Sequence, residues 1–336
     1  MPCDGAGKEV VPEAIKVIRA AGGDFEFQEY DVNAEAFMRS GGPIPPDVWS
    51  DLEKADSILF GAVGDPRVPD PEYLAGVLLR LRFGLDLYVN LRPAKLYDDR
   101  LSPLRRADRR KVDLLVVREN TEGLYVGMGG RFKKGTDQEI AIQEDLNTFT
   151  GVTRILEYAF KAAHREVVMI DKSNAMTFAG GLWQERWKSV AAKYPDVKTR
   201  HLFVDAAAMQ LVKDPSQFEL IVTGNLFGDI LSDLTAELIG GMGIAPSGNI
   251  NPETGRGLFE PVHGTAPDIA GTGIVNPIGA ILSGSMMVKH LGHSEMAKAI
   301  ESAVEAAIRA GECTRDLGGT LSTSECGDAV AKRLRD

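Results

Sequence analysis

The chain predicts an α/β fold on a largely parallel sheet, and three observations carry that expectation. Short apolar runs alternate with helical patterns along the whole length. Val112 to Val117, Val167 to Ile170, Leu202 to Val204 and Leu220 to Val222 read as buried strands. No repeat of roughly 20–50 residues and no low-complexity linker interrupts the pattern.

Taken in order, Val10 to Ala21 has helical spacing and Phe25 to Tyr30 alternates like a strand. Ile58 to Val63 is an apolar run ending in Gly-Asp-Pro, a strand meeting a loop. Arg131 to Asn147 alternates around Lys133-Lys134-Gly135, which fits either a projecting two-stranded arm or an ordinary surface hairpin. Gly151 to Ala163 and Gly181 to Lys193 are helical, and so is the stretch from Asn225 through Leu238, where Leu226, Phe227, Ile230, Leu231, Leu234 and Leu238 share one spacing. Gly257 to Gly271 reads as a loop of small residues. Ile269 to Val288 is uncharged but holds four glycines, a proline and an asparagine, so it reads as buried loop and core helix, not a membrane span.

At 336 residues, one large or two medium domains are expected. A net charge of −10 argues against nucleic acid or an anionic membrane as the main partner. The densest basic group, Arg105, Arg106, Arg109, Arg110 and Lys111, reads as a loop or helix cap. Cys3, Cys313 and Cys326 form no C-x-x-C pair, so neither a disulfide framework nor a structural zinc is expected, and a reducing cytoplasm fits. The start of the chain has no apolar h-region of a signal peptide.

Several groups carry chemistry. Asp229 and Asp233 lie one helical turn apart on one face, and Glu237 continues the column. Like charges at that spacing repel; the face is either solvated or holds a hard divalent cation such as Mg²⁺ or Mn²⁺. Arg82 and Arg92 sit in an apolar stretch, and Arg118 ends a strand. Guanidiniums in apolar surroundings are paired, either in structural salt bridges or around a dianionic organic acid. Lys172 lies just beyond a strand's C-terminal end, where open α/β sheets place ligands. Crowding by cations would lower its pKa and make it a usable base. His263 is the lone imidazole of its loop. No G-x-G-x-x-G follows a strand and no G-x-x-x-x-G-K-[ST] occurs, so a standard Rossmann or P-loop reading is disfavoured.

Together these segments resemble the β-decarboxylating dehydrogenases of isopropylmalate, isocitrate, homoisocitrate and tartrate or D-malate. The resemblance rests on residues 91–93, 118–125, 171–174, 204–206, 225–233, 245–249 and 259–271, in the family's order and across nearly the whole chain. It implies a two-lobed fold on one continuous, mostly parallel sheet, distinct from a standard Rossmann fold. Residues 1–87 and 240–336 would form the cofactor lobe. Residues 88–239 would form the central lobe, with the dimer interface and a projecting arm near 126–150.

The resemblance further implies a homodimer with shared sites. Asp229 and Asp233 of one subunit and Asp205 of the other would hold Mg²⁺ or Mn²⁺, with Asp205 also facing substrate. Arg82, Arg92 and Arg118 would bind the substrate carboxylates, and Leu78 and Leu79 its apolar group. Tyr125 and Lys172 would be the catalytic pair, Lys172 acting across the interface. Asn174, Glu260, His263, Gly264, Thr265, Ala266, Pro267, Asp268, Ile269 and Asn276 would hold the cofactor. Asp268 would accept from the adenosine ribose and repel a 2′-phosphate, so NAD is expected. The implied reaction is oxidative decarboxylation of a 2-hydroxy dicarboxylate, 3-isopropylmalate of leucine biosynthesis first. D-malate or tartrate is the alternative, followed by homoisocitrate or isocitrate, or a non-catalytic subunit. Two departures stand out. A glutamate usual in the substrate helix is replaced near Leu74 or Ala75. The family's first strand, roughly half a dozen residues, is missing before Met1-Pro-Cys-Asp-Gly, which would leave neighbouring backbone unpaired at about 1–3 kcal/mol per buried group.

Overall fold

The structure is a computed structural model that describes residues 1–69, 71–106, 108 and 111–335. Of the basic group near 105–111, Arg109 and Arg110 lie outside the described residues, and Arg106 pairs with Asp108 at 2.8 Å on the surface.

The described strands are β1 (Ile58–Leu59), β2 (Val89–Lys95), β3 (Asp113–Glu119), β4 (Gly129–Phe132), β5 (Ile140–Gln143), β6 (Glu166–Asp171), β7 (Lys198–Phe203), β8 (Leu220–Thr223), β9 (Pro246–Asn251) and β10 (Arg256–Pro261). The α-helices are α1 (Gly7–Ala20), α2 (Ala34–Ser40), α3 (Pro46–Leu52), α4 (Pro71–Leu74), α5 (Arg80–Gly84), α6 (Phe149–Ala162), α7 (Thr177–Ala191), α8 (Val204–Lys213), α9 (Asn225–Leu238), α10 (Ile278–His290), α11 (Ser294–Arg309) and α12 (Thr323–Lys332). Eight strands form one sheet in the order β1-β10-β9-β2-β3-β8-β6-β7. The pairs β1–β10, β3–β8, β8–β6 and β6–β7 are parallel, while β10–β9, β9–β2 and β2–β3 are antiparallel. The fold is therefore α/β on a mostly parallel sheet, with an antiparallel centre.

The parallel strands β6 and β8 are buried at every position, which is why their sequences are continuous apolar runs. Helix α10 packs on β9 and β10 and against α1 and α11, and α6 packs on β3 and β8. Helix α9 packs on β2 and β3, which brings its acidic face to the end of the parallel strands. Among the described residues no helix is long and apolar enough to cross a membrane. All three cysteines are free and buried, and burial pushes the Cys3 and Cys326 thiols up to about 12.

Two expected elements differ. Phe25 to Tyr30 is extended but joins no ladder. Its alternation reflects packing on one side only: Phe25 meets His293 edge-on at 5.1 Å and Arg19 covers Phe27. A groove of about 1090 Å³, lined by this segment and by β1, keeps the two backbones apart, and a ladder needs neighbours about 5 Å away. The expected loop 257–271 begins later, because Arg256–Pro261 is strand β10, joined to β9 by the turn at Pro252 to Gly255. Along the outer edge of β1 and the residues after it, where unpaired backbone is expected, residues 1–4 bond part of the backbone. Met1 N donates to Leu59 O at 2.9 Å, Gly61 N to Met1 O at 2.9 Å, and Asp4 N to Ala62 O at 2.7 Å. The alternating segment 131–147 does form a strand pair, β4–β5, whose residues are all exposed.

Candidate functional site

Asp229 lies on the second turn of α9, at the C-terminal end of β3 and β8. Its Oδ1 accepts from Arg118 Nη1, and its Oδ2 accepts from the Tyr125 hydroxyl at 2.5 Å. Arg118 also donates through Nε and Nη2 to Asn225 Oδ1, at 2.9 and 2.7 Å. Gly228 makes this contact possible: a Cβ there would lie 2.6 Å from Arg118 Cγ, so any side chain would push the guanidinium away from the helix. Arg92, on β2, reaches Asp229 at 3.9 Å and Asp233 at 3.8 Å. Arg82, on α5, pairs with Glu260 of β10 at 2.9 Å, and its buried Nε has no hydrogen-bond partner among the described residues. Leu78 and Leu79 are half-buried in a π-helical turn, Ala75–Leu79, that leads into α5. Leu74, near the family's missing glutamate, is exposed.

Three guanidiniums thus converge in a largely buried place. Burial lowers the Arg92 and Arg118 pKa values, and each is lowered further by neighbouring cations, Arg82 for one and Arg92 and Arg82 for the other. Burial opposes ionisation of Asp229, but Arg118, the Tyr125 hydroxyl and Arg92 outweigh it and hold the carboxyl below its ordinary value. Burial raises Asp233 despite Arg92, and the Asp229 charge adds to the rise. Burial and the hydrogen bond to Asp229 raise Tyr125, which keeps its proton at neutral pH. Each cation is paired with a carboxylate, but among the described residues the buried Arg82 Nε–H is not, and a cluster of this charge with a spare donor is chemically suited to an anion.

Lys172 and Asp205 form a separate pair. Lys172 Nζ bonds Asp205 Oδ1 at 2.6 Å, with Lys172 in the turn after β6 and Asp205 on the first turn of α8. Asp171 braces that turn by accepting from Ser173 N at 3.1 Å and from Gln184 Nε2 at 2.8 Å. Asn174 is exposed in the same turn. Among the described residues no three His, Cys, Asp or Glu side chains gather to hold a metal. Asp229 and Asp233 bring two carboxylates to one helix face, and Asp205 of the same chain is engaged with Lys172.

The expected cofactor residues fall in two groups. Glu260 and Asn276 are buried: Glu260 accepts from Arg82 and from Asn249 Nδ2 at 2.9 Å, and Asn276 donates to Asp316 at 2.8 Å. Gly264, Pro267, Asp268 and Ile269 are exposed on the loop after β10, and Thr265 and Ala266 are half-buried. Ala266 takes a left-handed φ of 44° at the loop's tightest point. His263 Nδ1 bonds Gly264 O at 2.9 Å, and its buried Nε2 has no partner among the described residues. Burial lowers its pKa, so the ring is neutral; with Nδ1–H donating to the Gly264 carbonyl, Nε2 is left as an acceptor.

Sequence reasoning missed a set of buried amides that support the guanidiniums. Asn90 accepts from Arg92 Nε at 3.0 Å and donates to Asn249 at 2.9 Å, and Asn225 holds Arg118. An asparagine inside the apolar strand Val89–Lys95 was the available signal.

The chain matches the isocitrate/isopropylmalate dehydrogenase family over residues 1–330. It is 46% identical to a 3-isopropylmalate dehydrogenase of Thermobifida fusca (strain YX), covering 100% of this chain and 97% of that one. It is 45% identical to a 3-isopropylmalate dehydrogenase of Rhodococcus erythropolis, covering 99% and 98%. The crystal structure of an isocitrate dehydrogenase from Methylococcus capsulatus superposes with a TM-score of 0.91 at 36% identity, covering 100% of this chain and 98% of that one. The TT0538 protein from Thermus thermophilus gives a TM-score of 0.90 at 35% identity, with 100% and 67% covered.

Proposed function

The chain belongs to the isocitrate/isopropylmalate dehydrogenase family, and from that premise we propose an NAD- and Mg²⁺- or Mn²⁺-dependent oxidative decarboxylase of a 2-hydroxy dicarboxylate, with 3-isopropylmalate as substrate. The observation that carries this reading is the clustering of three guanidiniums beside Asp229 and Tyr125: Arg118 and Arg92 pair with Asp229, and Arg82, paired with Glu260, lies close enough for its charge to act on both.

The guanidiniums bind the two substrate carboxylates, and their buried amide supports fix the forks before substrate arrives. Leu78 and Leu79 face the apolar substituent, as two leucines suit an isopropyl group and not a further carboxylate. Asp229 and Asp233 would hold the divalent ion with Asp205 of a second copy; oxygen donors of this charge suit a hard cation. When bound, the ion would supply stabilisation of negative charge on the substrate's 2-oxygen and NAD would supply the hydride acceptor. Lys172 of the second copy takes the 2-hydroxyl proton at Nζ. Tyr125, which holds its proton at neutral pH, delivers one to the carbon that has lost CO₂. Glu260, His263–Ile269, Asn276 and the second copy's Asn174 hold NAD. Asp268 accepts from the ribose hydroxyls and disfavours a 2′-phosphate.

This reading requires a homodimer. Exposed Met128, Phe132, Ile140 and Ile142 on the β4–β5 arm, with Met209 and Val212 of α8, form apolar surface suited to a second copy. Residues 88–239 make the central lobe at that interface, and residues 1–87 with 240–336 the cofactor lobe. The free buried cysteines fit a reducing cytoplasm. Initial rates with Mn²⁺ on 3-isopropylmalate, D-malate, L-tartrate and isocitrate, each with NAD and NADP, test the assignment. Preference for 3-isopropylmalate with NAD is expected, and preference for D-malate would reject the role of the two leucines.

A further inference from the structure

Glu9 stands outside every residue assigned above, yet it touches the cofactor loop at two points. It sits on the first turn of α1, and its carboxylate faces the far end of the loop. Oε1 accepts from Gly271 N at 2.6 Å, and Oε2 accepts from Gly273 N at 2.9 Å. Both glycines have left-handed φ, 78° and 71°, so the chain turns sharply where the carboxylate holds it. The near end of the loop is held by the same N-terminal turn: Ala6 N donates to Thr265 O at 2.8 Å. That contact is close enough that a Cβ on Gly5 would lie 2.2 Å from Thr265 O. Between these anchors the loop bonds mainly to itself, with Ile269 N and Ala270 N both donating to Ala266 O at 3.0 Å.

From this geometry we infer that Glu9 is a positioning residue for the NAD site, its carboxylate clamping Gly271 and Gly273 so that the turn carrying Asp268 is held open toward the adenosine. The inference rests on the reading of this loop as the cofactor loop. A carboxylate accepts two N–H groups at once, one on each oxygen. A carboxamide of the same length accepts one and turns an NH₂ toward the other, so Glu9→Gln breaks half of the clamp with little change in shape. A loop that must be ordered on binding weakens affinity for its ligand without altering the chemical step.

The test is steady-state kinetics of the intact enzyme with Mn²⁺, comparing wild type, Glu9→Gln and Asp268→Ala. Glu9→Gln should raise KM for NAD by about tenfold, the cost of one poorly replaced hydrogen bond. Saturating kcat and KM for the hydroxy acid should change by less than about twofold. An unchanged KM for NAD in Glu9→Gln, with a raised one in Asp268→Ala, would overturn the clamp and leave the cofactor loop in place. Unchanged values in both variants would overturn the loop assignment and the clamp together. A parallel fall in kcat and rise in substrate KM would make Glu9 a general fold residue and also reject the inference. Hydrogen exchange on the wild type guards against a variant that fails to fold. The Gly271 and Gly273 amides should exchange slowly without NAD, and fast exchange at both would contradict the clamp.

Discussion

The two halves of the candidate site are held in opposite ways. Arg82, Arg92 and Arg118 have side chains 7%, 8% and 1% exposed, each locked to a carboxylate or an amide. Lys172 and Asp205 are 29% and 63% exposed and pair with each other at the surface. The buried half is organised before any ligand binds, because its partners come from β2, β3, α9 and β10 of one chain. The other half offers a cation and a carboxylate at the surface, where a pair is worth little and exchanges partners readily. The difference teaches that the guanidinium cluster is organised within one chain, while Lys172 and Asp205 are displayed outward, as the proposed use of both in a neighbouring copy requires.

That contrast can be broken at several points. Lys172→Met should cut kcat by about 10²–10⁴. It should move stability by less than about 1 kcal/mol, because only an exposed pair is lost. Thermal unfolding beside initial rates checks both, and a large loss of stability would erase the distinction. Arg118→Met should cost about 3 kcal/mol of stability, since it strips Asn225 and Asp229 of a buried donor. Denaturant unfolding reads this, and a neutral result would mean that repulsion among the three guanidiniums cancels the pairing. Tyr125→Phe should slow turnover by about 10². Its stability should change by about 1 kcal/mol, one hydrogen bond to Asp229.

The smallest effect concerns pH. Burial pushes Glu119, next to Arg118, from 4.5 up to about 6. The folded state therefore holds a proton that the unfolded state has released between those values, so stability from this group falls as pH rises through about 6. The Tm of wild type minus that of Glu119→Gln should be larger at pH 5 than at pH 7. A gap that widens toward pH 7 would contradict the burial assigned to this strand end.

Much of this was legible before folding. The apolar spacing of 225–238 specified a helix with Asp229 and Asp233 on one face, and the structure places them so. Lys172 is expected just beyond the apolar strand 167–170, and it follows strand β6 directly. The rest depended on which distant segments meet. Phe25 to Tyr30 has strand alternation, but a ladder also requires a neighbour at bonding distance, and a groove lies there. The glycine and proline flanking Glu260 punctuate the sequence like a loop, whereas pairing with β9 makes the segment a strand. The bond between the Asn90 and Asn249 amides and the contacts of the Glu9 carboxylate join residues more than 100 positions apart, and no local pattern encodes that.

Subunit complementation tests the shared site most directly. Lys172→Met and Asp229→Asn are each inactive alone on this account, since each lesion disables every site of its own homodimer. Mixing them under conditions that exchange subunits should restore about a quarter of wild-type activity, because half the dimers become mixed and each mixed dimer carries one intact site. Mixed dimers that form, as shown by mass, yet remain inactive would contradict a site built from two copies.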